Sequence, residues 1–219
     1  MRLLPVLSLI LSTSIASANP FAAAGRIENP ESGGTCSAAL VQPDVIVTAA
    51  HCVTGIETQK LNFRLGDGKQ SPTYPTTSVV VHPLYEAFSE QRFRRLRFDI
   101  ALIRLSRPVP DQAATPFRLA EVAEEGEGLF LASWRAGEGS RPRQRRCLVI
   151  KGEVPGVVTL GCRVQGGESG APVLRLTSDG MELVAIINSQ ARQGRQPVAY
   201  AADVRLRIVP LLERLETSP

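Results

Sequence analysis

The sequence predicts an all-β fold: two Greek-key β-barrels in tandem, with one helix at the C-terminus. Three observations carry this. Short β-branched or apolar runs recur along the chain, each closed by glycine, proline, asparagine or aspartate, as strands joined by tight turns require. A proline-marked connector, Pro108-Val109-Pro110 through Pro116, divides these runs into two halves of similar style. Only the last stretch, Arg207 to Glu216, has helical spacing: Ile208, Leu211, Leu212 and Leu215 share one face. A length of 219 residues suits one sizeable all-β unit or two small packed halves, and 43% apolar residues fill a core.

The elements follow in order. Met1-Arg2 is a short basic start, Leu3 to Ile15 is apolar, and Ala16-Ser17-Ala18 is the small-residue pattern that a signal peptidase accepts. Residues 1–18 therefore read as a signal peptide. The apolar run is too short for a membrane span of about 20 residues, so no stable anchor is expected after its removal. Phe21 to Ile27 reads as the opening strand and Asn29 to Thr35 as a turn. Cys36 to Val41 and Val45 to Thr48 are strands joined at Pro43-Asp44, and Ala49-Ala50-His51-Cys52 ends the second. Leu61 to Leu65 alternates apolar and polar residues until Gly66-Asp67-Gly68 breaks it. Thr76 to Val81 is a strand closed by His82-Pro83, and Glu86 to Arg97 is a polar, basic loop or short helix. Asp99 opens the buried-type strand Ile100 to Leu105.

In the second half Gly128 to Trp134 is a strand. Arg146 to Gly152 and Val157 to Arg163 form a hairpin around Pro155-Gly156. Ala171 to Leu176, Leu183 to Ile187 and Val198 to Val204 complete the strands. Pro210 fits best in the first turn of the terminal helix, where its missing N–H costs nothing.

The four cysteines, Cys36, Cys52, Cys147 and Cys162, sit in a chain read as exported, where disulfides persist. Three connectivities exist. Short loop closure favours Cys36–Cys52 and Cys147–Cys162, each stabilising by roughly 3 kcal/mol in the chain-entropy model. No C-x-x-C pair or paired histidines support a metal site. Net charge is +4, with arginines clustered at Arg92, Arg94, Arg95, Arg97 and at Arg141, Arg143, Arg145, Arg146. No aromatics interleave the second cluster as a stacking platform would need, so these read as solvated loop charges and not as a nucleic-acid surface.

Chemistry concentrates at three places. Gly166-Gly167-Glu168-Ser169-Gly170-Ala171-Pro172 puts a serine on a glycine-rich turn, where the N–H groups of Gly167 and Ser169 can converge on one point as an oxyanion hole. His51 ends a strand. Asp99 stands beside an apolar run, where a buried carboxylate needs a partner such as an imidazole N–H. A serine, a histidine and an aspartate so combined run acyl transfer.

These stretches resemble the trypsin/chymotrypsin-like serine peptidases. Val47-Thr48-Ala49-Ala50-His51-Cys52 is similar to the family's histidine box, and Phe98-Asp99-Ile100-Ala101-Leu102 to its aspartate box. Gly167-Glu168-Ser169-Gly170-Ala171-Pro172-Val173 is similar to its serine box, and the order agrees. The resemblance implies six strands in each barrel, with barrel 1 at about residues 19–110, barrel 2 at about 117–206 and the helix at 207–216. It implies that Ser169 is the nucleophile, His51 the general base and acid, Asp99 its orienter, and Gly167 and Ser169 the oxyanion donors. Cys36 is then the usual disulfide partner of Cys52. The implied activity is a secreted or periplasmic serine endopeptidase that acts on protein or peptide substrates as a monomer, without metal or cofactor. The alternative is a non-catalytic relative that binds peptides in the same cleft.

Two departures stand out. Glu168 precedes the nucleophile where most members have aspartate, an acid that pairs with a newly cut N-terminus in zymogen-type members. Arg26-Ile27 resembles such a cut site, but Glu28-Asn29 does not continue the pattern, so it reads as part of the first strand. Glu168 is then free to pair with a nearby arginine. Arg163 falls where the resemblance places the base of the specificity pocket. There it would favour acidic side chains, while the plainer reading is that it turns away or pairs with Glu168. Ile187-Asn188-Ser189 is similar to the strand that pairs with substrate backbone, which makes Asn188 and Ser189 candidate substrate contacts.

Overall fold

The computed structural model describes residues 19–66, 70–137 and 141–217. The signal-peptide reading of residues 1–18 and most of the Gly66-Asp67-Gly68 break lie outside these residues.

Barrel 1 is built from β1 (Ala24–Asn29), β2 (Gly34–Gln42), β3 (Val45–Thr48), β4 (Asn62–Leu65), β5 (Thr73–Val81) and β6 (Ala101–Leu105). The strand order β1-β2-β3-β6-β5-β4 closes through β1 on β4, all antiparallel. Burial follows from the apolar runs. All four residues of β3 are buried, and Leu40, Ile46, Phe63, Leu102 and Ile103 lie in the interior. Arg26 and Ile27 stand inside β1, with Ile27 buried and Arg26 Nε bonded to Glu28 at 2.5 Å.

Barrel 2 contains β8 (Gly128–Ser133), β9 (Arg143–Ile150), β10 (Val157–Leu160), β11 (Pro172–Thr177), β12 (Gly180–Gln193) and β13 (Gln196–Asp203). The order β11-β8-β9-β10-β13-β12 closes through β11 on β12. A two-residue strand, β7 (Arg118–Leu119), adds in parallel to β12. Leu129, Leu131, Val173, Ala185, Ala199 and Ala201 fill this interior. The disulfides are Cys36–Cys52 and Cys147–Cys162, with Cα atoms 6.2 and 5.7 Å apart.

Several sequence readings change. The terminal helix α2 (Arg205–Thr217) starts early enough to leave Pro210 beyond the first turn. The proline removes the N–H that would reach the Leu206 carbonyl. Leu206 is 75% exposed and Pro210 is exposed, so the missing bond lies on the solvent side of the helix, which continues. β12 runs well past Ile187 because its polar half, Ser189 to Gln193, pairs with β13 as far as Gln193↔Gln196. The Arg143–Arg146 cluster lies on β9 rather than in a loop. The basic stretch before Asp99 forms the short helix α1 (Arg92–Phe98).

The two barrels are joined by more than the connector. Helix α2 follows barrel 2 in sequence but buries Ile208, Leu211 and Leu215 in the barrel 1 core cluster. Leu96 of α1 packs in turn with Val198 and Tyr200 of β13.

Candidate active site

β3 ends at Thr48, and a single 3-10 turn at Ala50–Cys52 carries His51. Asp99 follows α1 at the entry to β6. Its carboxylate grips His51 twice: Oδ1 accepts the His51 backbone N–H at 2.9 Å, and Oδ2 lies 2.7 Å from Nδ1. The Asp99 side chain is 9% exposed and that of His51 is 37% exposed. Burial therefore keeps the carboxylate on its one partner, and the ring meets solvent beyond the pair. A proton on Nδ1 satisfies Asp99 and leaves Nε2 an acceptor.

The serine loop reaches this place through β2. The Ser37 N–H donates to the Ser169 carbonyl at 2.7 Å. Gly170 (φ +79°) lies against the Ser37 carbonyl and Thr48 Oγ1, both of which a Cβ would strike. On the other side the Gly170 N–H donates to Ile187 O at 2.7 Å, and the Ile187 N–H to Ala171 O at 2.9 Å. Ser169 is thus held between the ends of barrel 1 strands and β12. Among the described residues its hydroxyl makes no hydrogen bond to His51. Such contacts are often long in an unliganded site and tighten with substrate.

The N–H groups of Gly167 and Ser169 donate to nothing among the described residues. Their direction is set from behind. A planar peptide points its C=O opposite its N–H. The Gly166 carbonyl, in the Gly167 peptide, accepts from Ala136 N–H at 3.0 Å. The Glu168 carbonyl, in the Ser169 peptide, accepts from Ala171 N–H at 3.1 Å. Gly167 has φ +89° and backs onto the main chain of Trp134–Ala136, so only glycine fits.

Glu168 is fully buried. Its carboxylate accepts from Arg145 Nη1 at 2.7 Å, Ser133 Oγ at 2.6 Å and the Gln165 N–H at 2.7 Å. Burial pushes its carboxyl up, but the bonds from Arg145, Ser133 and Gln165 outweigh that and hold it below the usual range. Arg145 also donates from Nη2 to the Arg163 carbonyl at 3.1 Å. The arginines beside Glu168 are therefore Arg145 and, with Nε 3.7 Å from Oε2, Arg135, not Arg163, whose residue is exposed.

Asn188 and Ser189 line a cavity of about 290 Å³ with His51, Tyr85, Arg95 and Asp99. Asn188 is buried and donates from Nδ2 to Leu96 O at 2.5 Å. Tyr85 is pushed up to about 12, by burial first and then by the charge of Asp99, so it stays a hydroxyl donor. The ligand atoms of Cys36, His51 and Cys52 lie within 4.8 Å of one another. Both sulfurs are spent in the disulfide, so this cluster does not offer the thiolates a metal needs.

The sequence matches the Trypsin family model over residues 11–206. The chain belongs to the trypsin family. Among relatives, it is 30% identical over 126 residues to a trypsin of Saccharopolyspora erythraea, covering 56% of this chain and 51% of that protein. It is 28% identical over 130 residues to the serine protease grass of Drosophila melanogaster, covering 49% and 34%. A Bos taurus protein named as an inactive serine protease is 27% identical over 186 residues, covering 75% and 23%. The chain thus spans about half or less of these relatives' own length.

Sequence reasoning missed Ser37, Ser133 and Arg145. Ser37 and Ser133 sit in strands of small apolar residues, where a buried hydroxyl was the available signal. Arg145 was hidden inside a cluster that reads as solvated charge.

Proposed function

We propose that this trypsin-family chain is an exported serine endopeptidase whose catalytic residues are Ser169, His51 and Asp99. The observation that carries the reading is the two-point grip of Asp99 on His51, which fixes the ring with Nε2 available for the Ser169 proton. Ser169 Oγ attacks the substrate carbonyl carbon as His51 Nε2 takes its proton. The carbonyl electrons move to oxygen, and the Gly167 and Ser169 N–H groups stabilise the oxyanion. Collapse breaks the C–N bond, and His51 returns its proton to the leaving amine. Water then hydrolyses the acyl-enzyme by the same route, with His51 again the base. Asp99 stays ionised throughout and stabilises the imidazolium.

The Glu168–Arg145 pair supports activity without a cut at Arg26-Ile27. The carboxylate that a new terminus would bind is already filled, and Arg26-Ile27 is a paired strand segment. The signal-peptide reading of residues 1–18 and the two disulfides support export.

A fluorophosphonate probe tests the reading. One addition per chain is expected, on Ser169, with none in Ser169→Ala or His51→Ala. The similarity to a protein named as inactive does not by itself favour the binding-module alternative. Folded, disulfide-intact protein that takes no probe, with or without cleavage at Arg26-Ile27, would leave that alternative standing.

A further inference from the structure

Ser37 is fully buried in β2 and binds on four sides. Its N–H donates to Ser169 O at 2.7 Å, and its carbonyl accepts from Thr48 Oγ1 at 2.8 Å. Its hydroxyl accepts the Trp134 N–H at 3.0 Å and donates to Gly167 O at 3.0 Å. The direction is forced. An amide N–H can only donate, so the single hydroxyl proton goes to the carbonyl.

Three successive peptide planes run from Gly166 to Ser169. The outer two carry the unpaired N–H groups of Gly167 and Ser169. Their carbonyls, Gly166 O and Glu168 O, are held by the backbone donors of Ala136 and Ala171, which almost any residue would supply. The middle plane, Gly167–Glu168, sets the angle between those two N–H groups. Its N–H donates to Gln165 O at 3.0 Å, and the donor to its carbonyl is a side chain from the other barrel, Ser37 Oγ. The plane follows a glycine at φ +89°, where the backbone itself resists rotation least.

Resting on the peptidase reading above, we infer that Ser37 is a positioning residue of barrel 1 that locks the Gly167–Glu168 peptide and so sets the oxyanion-hole geometry in barrel 2. It touches no reacting atom. It acts through two carbonyls, Gly167 O and Ser169 O, that bracket the hole, and through Trp134 N–H it ties the same loop to the 134–136 segment behind it. Losing a whole oxyanion donor costs about 10²–10³ in kcat. Losing the lock leaves both donors present and misaimed, so a smaller fall is expected.

The test compares Ser37→Ala and Ser37→Gly with wild type, each normalised to the end point of fluorophosphonate labelling. For both variants kcat falls about ten- to a hundredfold, KM stays within about twofold, and the Ki of a peptide boronate rises in proportion to the loss in kcat. A lowered Tm with kcat and boronate Ki unchanged would reduce Ser37 to a structural residue and overturn the inference. So would a rise in KM at constant kcat. If Ser37→Ala does not fold, Ser37→Gly, which leaves no side chain beside Trp134 N–H, carries the comparison. Wild type is labelled first. If it takes no probe, the peptidase reading has failed, which is a separate result from labelled variants that keep full kcat.

Discussion

Glu168 carries a negative charge with no surface exposed to solvent. Its three donors make that tolerable, and two guanidiniums balance the charge, Arg145 hydrogen-bonded at 2.7 Å and Arg135 with Nε 3.7 Å away. Arg145→Met should therefore cost about 3 kcal/mol in urea unfolding, because it removes the guanidinium hydrogen-bonded to a buried carboxylate and leaves Arg135 at 3.7 Å as the nearby cation. The pH dependence has a fixed sign. The folded-state carboxyl lies below its ordinary value of 4.5, so its contribution is present above that pH and drains away as pH falls below it. Glu168→Gln should flatten the stability profile in that acid range, read by unfolding at stepped pH. The three boxes around His51, Asp99 and Ser169 were legible because each is local and specific in residue type. Ser37 and Arg145 were not. Their partners lie 130 and 23 residues away in sequence, and a serine among alanines or an arginine among arginines looks ordinary until the fold joins them.

At the scale of elements, β9 does two jobs for the serine loop. Cys147 bonds Cys162 just before Arg163, and Arg145 on the same strand holds Arg163 O and Glu168. Replacing both Cys147 and Cys162 by alanine should lower stability by about 3 kcal/mol in denaturant unfolding. Helix α2 carries a proline on its exposed side at position 210. Pro210→Ala should raise stability by about 1–3 kcal/mol and Tm by a few degrees, since it restores a helix N–H and touches no core contact. Strand existence was readable from apolar runs. The ends of β12 and the presence of β7 were not, because their residues are polar or few and only a neighbouring strand makes them regular.

Across the whole molecule, the proposed catalytic groups come from both halves: His51 and Asp99 from barrel 1, Ser169 from barrel 2. Their alignment depends on what crosses the seam, namely Ser37, the α1 packing and α2 docked on barrel 1. The underside of that docking is cationic. His82 at the end of β5 stacks on Phe98 at 4.7 Å, and Arg97 and Arg207 also lie over that ring. Burial, then the charges of Arg207 and Arg214, bring His82 down to about 4. Asp203 stands 4.0 Å from Arg207 as the nearby acid. The folded state thus refuses a proton that the unfolded chain accepts below pH 6.5, so stability is full above that pH and falls as pH drops towards 4. The loss falls between those two pH values, and His82→Asn should remove most of it, read by unfolding at pH 7 and pH 5.

In the proposed peptidase, a filled Glu168 pocket and an anchored oxyanion loop make a cut at Arg26-Ile27 unnecessary. Intact-mass analysis of fluorophosphonate-treated protein that retains residues 19–219 tests it most directly. One adduct is expected on chains still continuous through Arg26-Ile27, lost in Ser169→Ala and reduced in Arg145→Met. An adduct found solely on chains that begin at Ile27 would contradict it.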